Sequence, residues 1–200
     1  MKTPVIIVNF KAYKEASGER AIALAEMAER VSRESGVEIA VAPNILDLRI
    51  VAEKVEIPVL AQHVDPVPYG AYTGHVSPYY VKEAGASGSL INHSERKLGR
   101  DVARSCISLL SNLQLDSILC AATPGEIGEI LGGGVKATAV AIEPPELIGT
   151  GRAVSKYKPE IIEEAVEAVK DLRIPLLCGA GIVSGEDVKK ALELGAEGIL

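Results

Sequence analysis

Pro4-Val5-Ile6-Ile7-Val8-Asn9-Phe10 opens with an apolar, β-branched run of the kind that forms a short buried strand. Residues 17–35 follow, with Ala21, Leu24, Ala25, Ala28 and Val31 at helical spacing among charges, and the pattern stops at Gly36. Val37 to Ala42 starts a second strand, ended by Pro43-Asn44. This β-then-α unit keeps recurring. A helical stretch to Lys54 precedes a third strand at Pro58 to Gln62; a connection rich in Pro, Gly and Tyr, Asp65 to Ser77, leads to a short helix at Pro78 to Ala84. Strands at Gly88 to Asn92, Ser117 to Ala121, Thr138 to Ile142 and Ile174 to Leu177 then alternate with helices at 95–113, 124–131, Pro159 to Asp171 and Ser184 to Leu194. Gly198 to Leu200 begins an eighth strand.

Short, mostly buried strands alternating with helices imply parallel pairing with the helices outside. Eight such units close into a parallel β/α barrel more naturally than they spread into an open sheet, and the ends of all the strands then share one rim. No dinucleotide glycine fingerprint follows the first strand, which disfavours a doubly wound sheet. No linker interrupts the pattern, so residues 1–200 read as a single barrel domain. The sequence stops inside the eighth strand, without the last βα loop and final helix. An open barrel would expose strand edges, so the natural polypeptide is expected to be longer.

Composition narrows the function. With 48% hydrophobic residues, a formal net charge of −6 and no long apolar stretch, the chain reads as a soluble, cytoplasmic protein. Cys106, Cys120 and Cys178 are far apart and odd in number, which fits reduced thiols and indicates neither a disulfide framework nor a metal site. Net acidity without a basic run argues against nucleic acid as a partner. An anionic small molecule is still compatible, because backbone N–H groups and one lysine can hold a phosphate.

Three segments place reactive side chains on the rim. Asn9 and Lys11, two apart at the end of the first strand, point the same way by the strand's period of two. A snorkelling surface lysine is the plain alternative for Lys11. His93 stands where the fourth strand gives way to a helix start, and the positive end of a helix disfavours imidazolium, so a neutral, hydrogen-bond-donating ring is expected. Glu143 ends an apolar run and is followed by Pro144-Pro145 and then Gly149-Thr150-Gly151: a stiff start and a free finish. That reads either as a Pro-rich turn or as a hinged lid with a carboxylate at its root, whose closure would exclude water.

Asn9-Phe10-Lys11, Asn92-His93-Ser94-Glu95-Arg96 and Glu143-Pro144-Pro145-Glu146-Leu147-Ile148-Gly149-Thr150-Gly151, in this order, resemble the triosephosphate isomerase family in its compact archaeal form, over essentially the whole chain. The resemblance implies interconversion of dihydroxyacetone phosphate and glyceraldehyde 3-phosphate, in glycolysis and gluconeogenesis, without cofactor or metal. It implies Glu143 as the base, a pattern for which this family is itself the standard example, with neutral His93 polarising the carbonyl. Lys11 and Asn9 would bind the substrate oxygens, and Glu95 would position Lys11. Ile148 and Gly149 of the lid, with Gly179, Ala180 and Gly181 after the seventh strand, would grip the phosphate. Outside archaea the family commonly has Tyr-Gly-Gly-Ser at that second loop to latch the lid, and a tryptophan where Glu146 stands. This chain has neither the Tyr nor the Ser, which leaves open how its lid is held.

The resemblance also implies self-association, as a dimer or tetramer, through Gly70-Ala71-Tyr72-Thr73-Gly74, with Thr73 supporting a neighbour's Asn9 and Lys11. Cys120 reads as packing near the base, and His63 and His75 have no motif. Two other readings stand beside the isomerase: a barrel enzyme for a larger sugar phosphate, which should lack a lid, and a catalytically inactive or truncated barrel with a binding or assembly role.

Overall fold

A computed structural model describes residues 1–200. Its strands are β1 (Val5–Asn9), β2 (Glu38–Ala42), β3 (Leu60–Ala61), β4 (Gly88–Ile91), β5 (Asp116–Ala121), β6 (Ala139–Ile142), β7 (Leu176–Cys178) and β8 (Gly198–Ile199). The helices are α1 (Glu19–Ser35), α2 (Leu48–Ala52), α3 (Pro78–Glu83), α4 (Arg100–Asn112), α5 (Pro124–Leu131), α6 (Val154–Tyr157), α7 (Pro159–Lys170) and α8 (Gly185–Glu193). All strand pairs are parallel, in the order β2-β1-β8-β7-β6-β5-β4-β3.

The eighth strand is paired on both sides. β8 pairs with β1 through Val5↔Gly198 and Ile6↔Ile199, and with β7 through Cys178↔Ile199. The loosest seam lies between β2 and β3, joined by the single bridge Val41↔Val59. There Val41 N donates to Pro58 O at 3.0 Å, and the Gln62 side chain donates to Ala42 O at 2.9 Å. The barrel is nearly closed.

Strand periodicity sorts the apolar residues into two layers. Val5, Ile7, Leu90, Ile118, Ala139 and Leu177 belong to the cluster that fills the barrel, while Ile39, Val41, Ile91, Leu119, Val140 and Ile142 pack outward against the helices. Extending the inward parity past the strand ends gives Asn9 after Val5 and Ile7, and Glu143 after Ala139 and Ala141. The same alternation that buries the core therefore delivers polar groups to the mouth.

Two departures from the periodic reading have local causes. The stretch 95–113 is a 3-10 turn at Ser94–Arg96 followed, after an extended break at Lys97 and Gly99, by α4. Asn92 Oδ1 accepts the Leu98 amide at 2.9 Å, so that amide does not enter a helix ladder. α6 is one turn of four residues, too short to show a period. Helix α1 ends as expected on Gly36, at φ 73°. No helix is long and apolar enough to cross a membrane.

Candidate active site

The mouth of the barrel holds a cavity of about 280 Å³ lined by Asn9, Lys11, His93 and Glu143, with Ile148 and Gly149 from the lid segment and Ala180 and Gly181 from the loop after β7. On one side, Lys11 takes a left-handed backbone (φ 49°) and its amide donates to Asn9 Oδ1 at 3.0 Å. Its Nζ lies 2.8 Å from Glu95 Oε1. Glu95 therefore stands behind the ammonium and does not line the cavity. Gln62 completes this corner: its Nε2 donates to Asn9 Oδ1 at 3.2 Å and to Lys11 O at 3.0 Å. Gln62, at the end of the third expected strand, was open to detection as a polar residue on the rim, but no motif singles it out.

His93 reaches the mouth through a twist. Inward parity along β4 would point Asn92 into the barrel and His93 away, but Asn92 adopts φ 62° and redirects the chain. The Asn92 amide is held there by Cys120 O and Glu126 Oε1, both at 2.9 Å. Glu126 also accepts from Lys97 Nζ at 2.6 Å and from Ala122 N at 2.7 Å, tying the His93 loop to α5. Neither Asn92 nor Glu126 as an anchor was legible from spacing. The ring itself is 5% exposed. Its Nδ1 accepts the Glu95 amide at 3.2 Å, which leaves the proton of a neutral ring on Nε2. Burial, reinforced by the Lys11 charge, holds its pKa below the ordinary 6.5. Burial and the Lys11 charge disfavour imidazolium here, whereas the expected helix start is only a three-residue 3-10 turn.

Glu143 is 6% exposed, and its Oε2 has no hydrogen-bond partner. Buried polar atoms are normally paired, so this orphan carboxylate oxygen is an exception that packing does not explain. His93 Nε2 lies 3.6 Å from it, just outside hydrogen-bond range. Burial pushes the Glu143 pKa from 4.5 to about 7, against lowering by the Lys11 charge and by a hydrogen bond with Cys120. A carboxyl group with that pKa can take up or release a proton near neutral pH. Cys120 is buried and its pKa is raised well above normal, first by burial, so it is a packing neighbour and no nucleophile.

Gly179 has a different place from its two neighbours. A Cβ there would sit 2.8 Å from Glu143 Cγ and 2.9 Å from Leu200 O, so the missing side chain makes room for the base. Ala180 and Gly181 form the cavity wall. Opposite them the segment after Glu143 runs through a 3-10 turn at Pro145–Leu147 to Gly149 and Gly151, both in the left-handed region at 71° and 69°. Glu146 pairs with Lys158.

A buried carboxylate, an imidazole and an ammonium thus meet at one small cavity lined on one side by the Pro144-to-Gly151 segment. The family model described as Triosephosphate isomerase matches residues 4–200. The chain belongs to the triosephosphate isomerase family. It is 50% identical over 202 residues to a triosephosphate isomerase of Methanothermus fervidus, covering 100% of this chain and 90% of that one. The triosephosphate isomerase of Pyrobaculum arsenaticum is also 50% identical over 202 residues, with 100% and 89% covered. That of Methanocaldococcus jannaschii is 45% identical over 198 residues, with 98% and 90% covered.

Proposed function

We propose that this chain is an isomerase interconverting dihydroxyacetone phosphate and D-glyceraldehyde 3-phosphate through an enediolate. Glu143 removes a proton from the carbon beside the carbonyl; the C–H electron pair becomes the C=C bond, and the carbonyl electrons move onto oxygen. His93 Nε2–H hydrogen-bonds that oxygen as charge develops and moves protons between the two oxygens. Glu143 returns its proton to the neighbouring carbon. Lys11, oriented by Glu95, and Asn9, fixed by Gln62, offset the negative charge. Ile148 and Gly149 of the lid, with Gly179, Ala180 and Gly181, form the phosphate end, where Gly179 acts by leaving space. Closure of the lid keeps water away and prevents loss of phosphate from the enediolate.

The observation that carries this reading is the orphaned, buried Glu143 Oε2 facing a histidine whose Nδ1 is already occupied. An inactive barrel would have no reason to keep an unpaired carboxylate there, and the small cavity does not favour a larger sugar phosphate. We place the protein in the cytoplasm, in glycolysis and gluconeogenesis, as an archaeal-type homodimer or homotetramer. The exposed loop tip around Thr73 supports self-association: its base is tied by Asp65 N to Val76 O at 2.8 Å and by Ser77 Oγ to Val67 O at 2.8 Å. The test is a coupled assay with glyceraldehyde 3-phosphate. Turnover that collapses in Glu143→Asp and in Lys11→Ala supports the isomerase; a folded, full-length protein without turnover refutes it.

A further inference from the structure

Where the lid re-enters the barrel it meets the loop after β7 across an unusual joint. Val154 N donates to Ala180 O at 3.1 Å. Gly181 lies so close to Arg152 that a Cβ would sit 2.2 Å from its carbonyl oxygen. Beneath both lies Asp187, in the first turn of α8 and 2% exposed. Its Oδ1 pairs with Lys156 Nζ at 2.6 Å, from α6 on the lid side. Its Oδ2 accepts from Ser184 Oγ at 2.8 Å and Val183 N at 3.2 Å, from the loop side. Its main-chain carbonyl accepts from Ser155 Oγ at 3.1 Å.

We infer that Asp187 is a positioning residue that clamps the trailing hinge of the lid to the phosphate-facing loop, so that the two halves of the phosphate grip keep a fixed spacing. This rests on the isomerase reading. The Ser184–Asp187 pair alone would be an ordinary helix cap, since Ser184 Oγ also accepts the Asp187 amide at 3.3 Å. A cap needs nothing from α6, yet both Ser155 and Lys156 are directed at this one residue. The lysine, foremost, and Ser184 hold the Asp187 carboxyl down at about 2, so the clamp stays charged at every working pH. All the partners of the carboxylate are donors, so an amide in its place would turn an N–H toward one of them.

Lys156→Gln separates clamp from cap, because it removes the charge and shortens the reach of the link from the half-exposed lysine side and leaves Ser184, Val183 and Asp187 in place. Full-length wild type, Lys156→Gln and Asp187→Asn are assayed with glyceraldehyde 3-phosphate, with inorganic phosphate release counted per isomerisation, and with phosphate-free glyceraldehyde. Expected for Lys156→Gln is a KM for the phosphorylated substrate raised about 3- to 10-fold, the loss of one charge-assisted hydrogen bond. A larger share of turnovers should end in released phosphate, with the phosphate-free reaction unchanged. Asp187→Asn should shift both readouts further. Wild-type KM and phosphate release in Lys156→Gln overturn the clamp, as does an equal loss with both substrates. A wild type that does not isomerise overturns the isomerase reading instead.

Discussion

Replacing Glu143 by Gln should abolish turnover and, at the same time, change how folding stability depends on pH. In the folded chain the carboxyl is protonated up to about 7, against 4.5 for an ordinary glutamate. Between those values the native state therefore binds a proton that the unfolded chain has released, and stability must fall as pH rises. At 1.36 kcal/mol per pH unit the difference amounts to roughly 3 kcal/mol, fully felt once the pH exceeds 7. The amide of the Glu143→Gln variant has no such proton, so subtracting the two stability curves cancels any constant cost of the amide and the titrating groups that do not feel Glu143, while Cys120 and Cys178, which do, have raised pKa values. The assay is urea unfolding of both proteins at one protein concentration, in phosphate-free buffers from pH 4 to pH 8.5. The wild type should lose about 3 kcal/mol relative to Glu143→Gln across that range, with most of the change between 4.5 and 7. A pH-independent difference would show that the Glu143 carboxyl titrates normally, and the argument from its burial would fail.

Two further outcomes follow from the same corner of the mouth. Gly179→Ala places a methyl 2.8 Å from Glu143 Cγ, where ordinary contacts begin near 3.5 Å, so the base must shift by roughly 0.7 Å. Steady-state kinetics should show kcat lowered about 10- to 100-fold in a folded protein, and unchanged kcat would remove Gly179 from the site. In the wild type, kcat/KM should rise with pH through about 7 as Glu143 loses its proton, while His93, held below 6.5, stays neutral in that window. A limb near 4.5 in its place would mean that the working enzyme solvates this carboxylate.

Much of this architecture is legible in the amino acids because two periodicities fix it. The alternation that buries Val5, Ile7, Ala139 and Ala141 also aims Asn9 and Glu143, so strand ends predict the rim. Helices with a strong apolar face, such as Pro159–Lys170, are found within a residue or two. What escapes is aperiodic. The left-handed turn at Asn92 cancels the parity that would hide His93, and Glu126 and Asp187 act through contacts 34 and 31 residues away in sequence. Gln62 bonds three acceptors on two neighbouring segments that only the curl of the barrel brings together.

The single Val41↔Val59 bridge makes the joint between β2 and β3 a weak one. β6, at whose end the carboxylate stands, and β1, at whose end the lysine stands, are both paired on two flanks, and Gln62 ties the lysine corner across the weak joint. Slackening of that joint would reach the ammonium through the Gln62 bonds to Asn9 and Lys11, and would leave both flanks of the carboxylate's strand as they are.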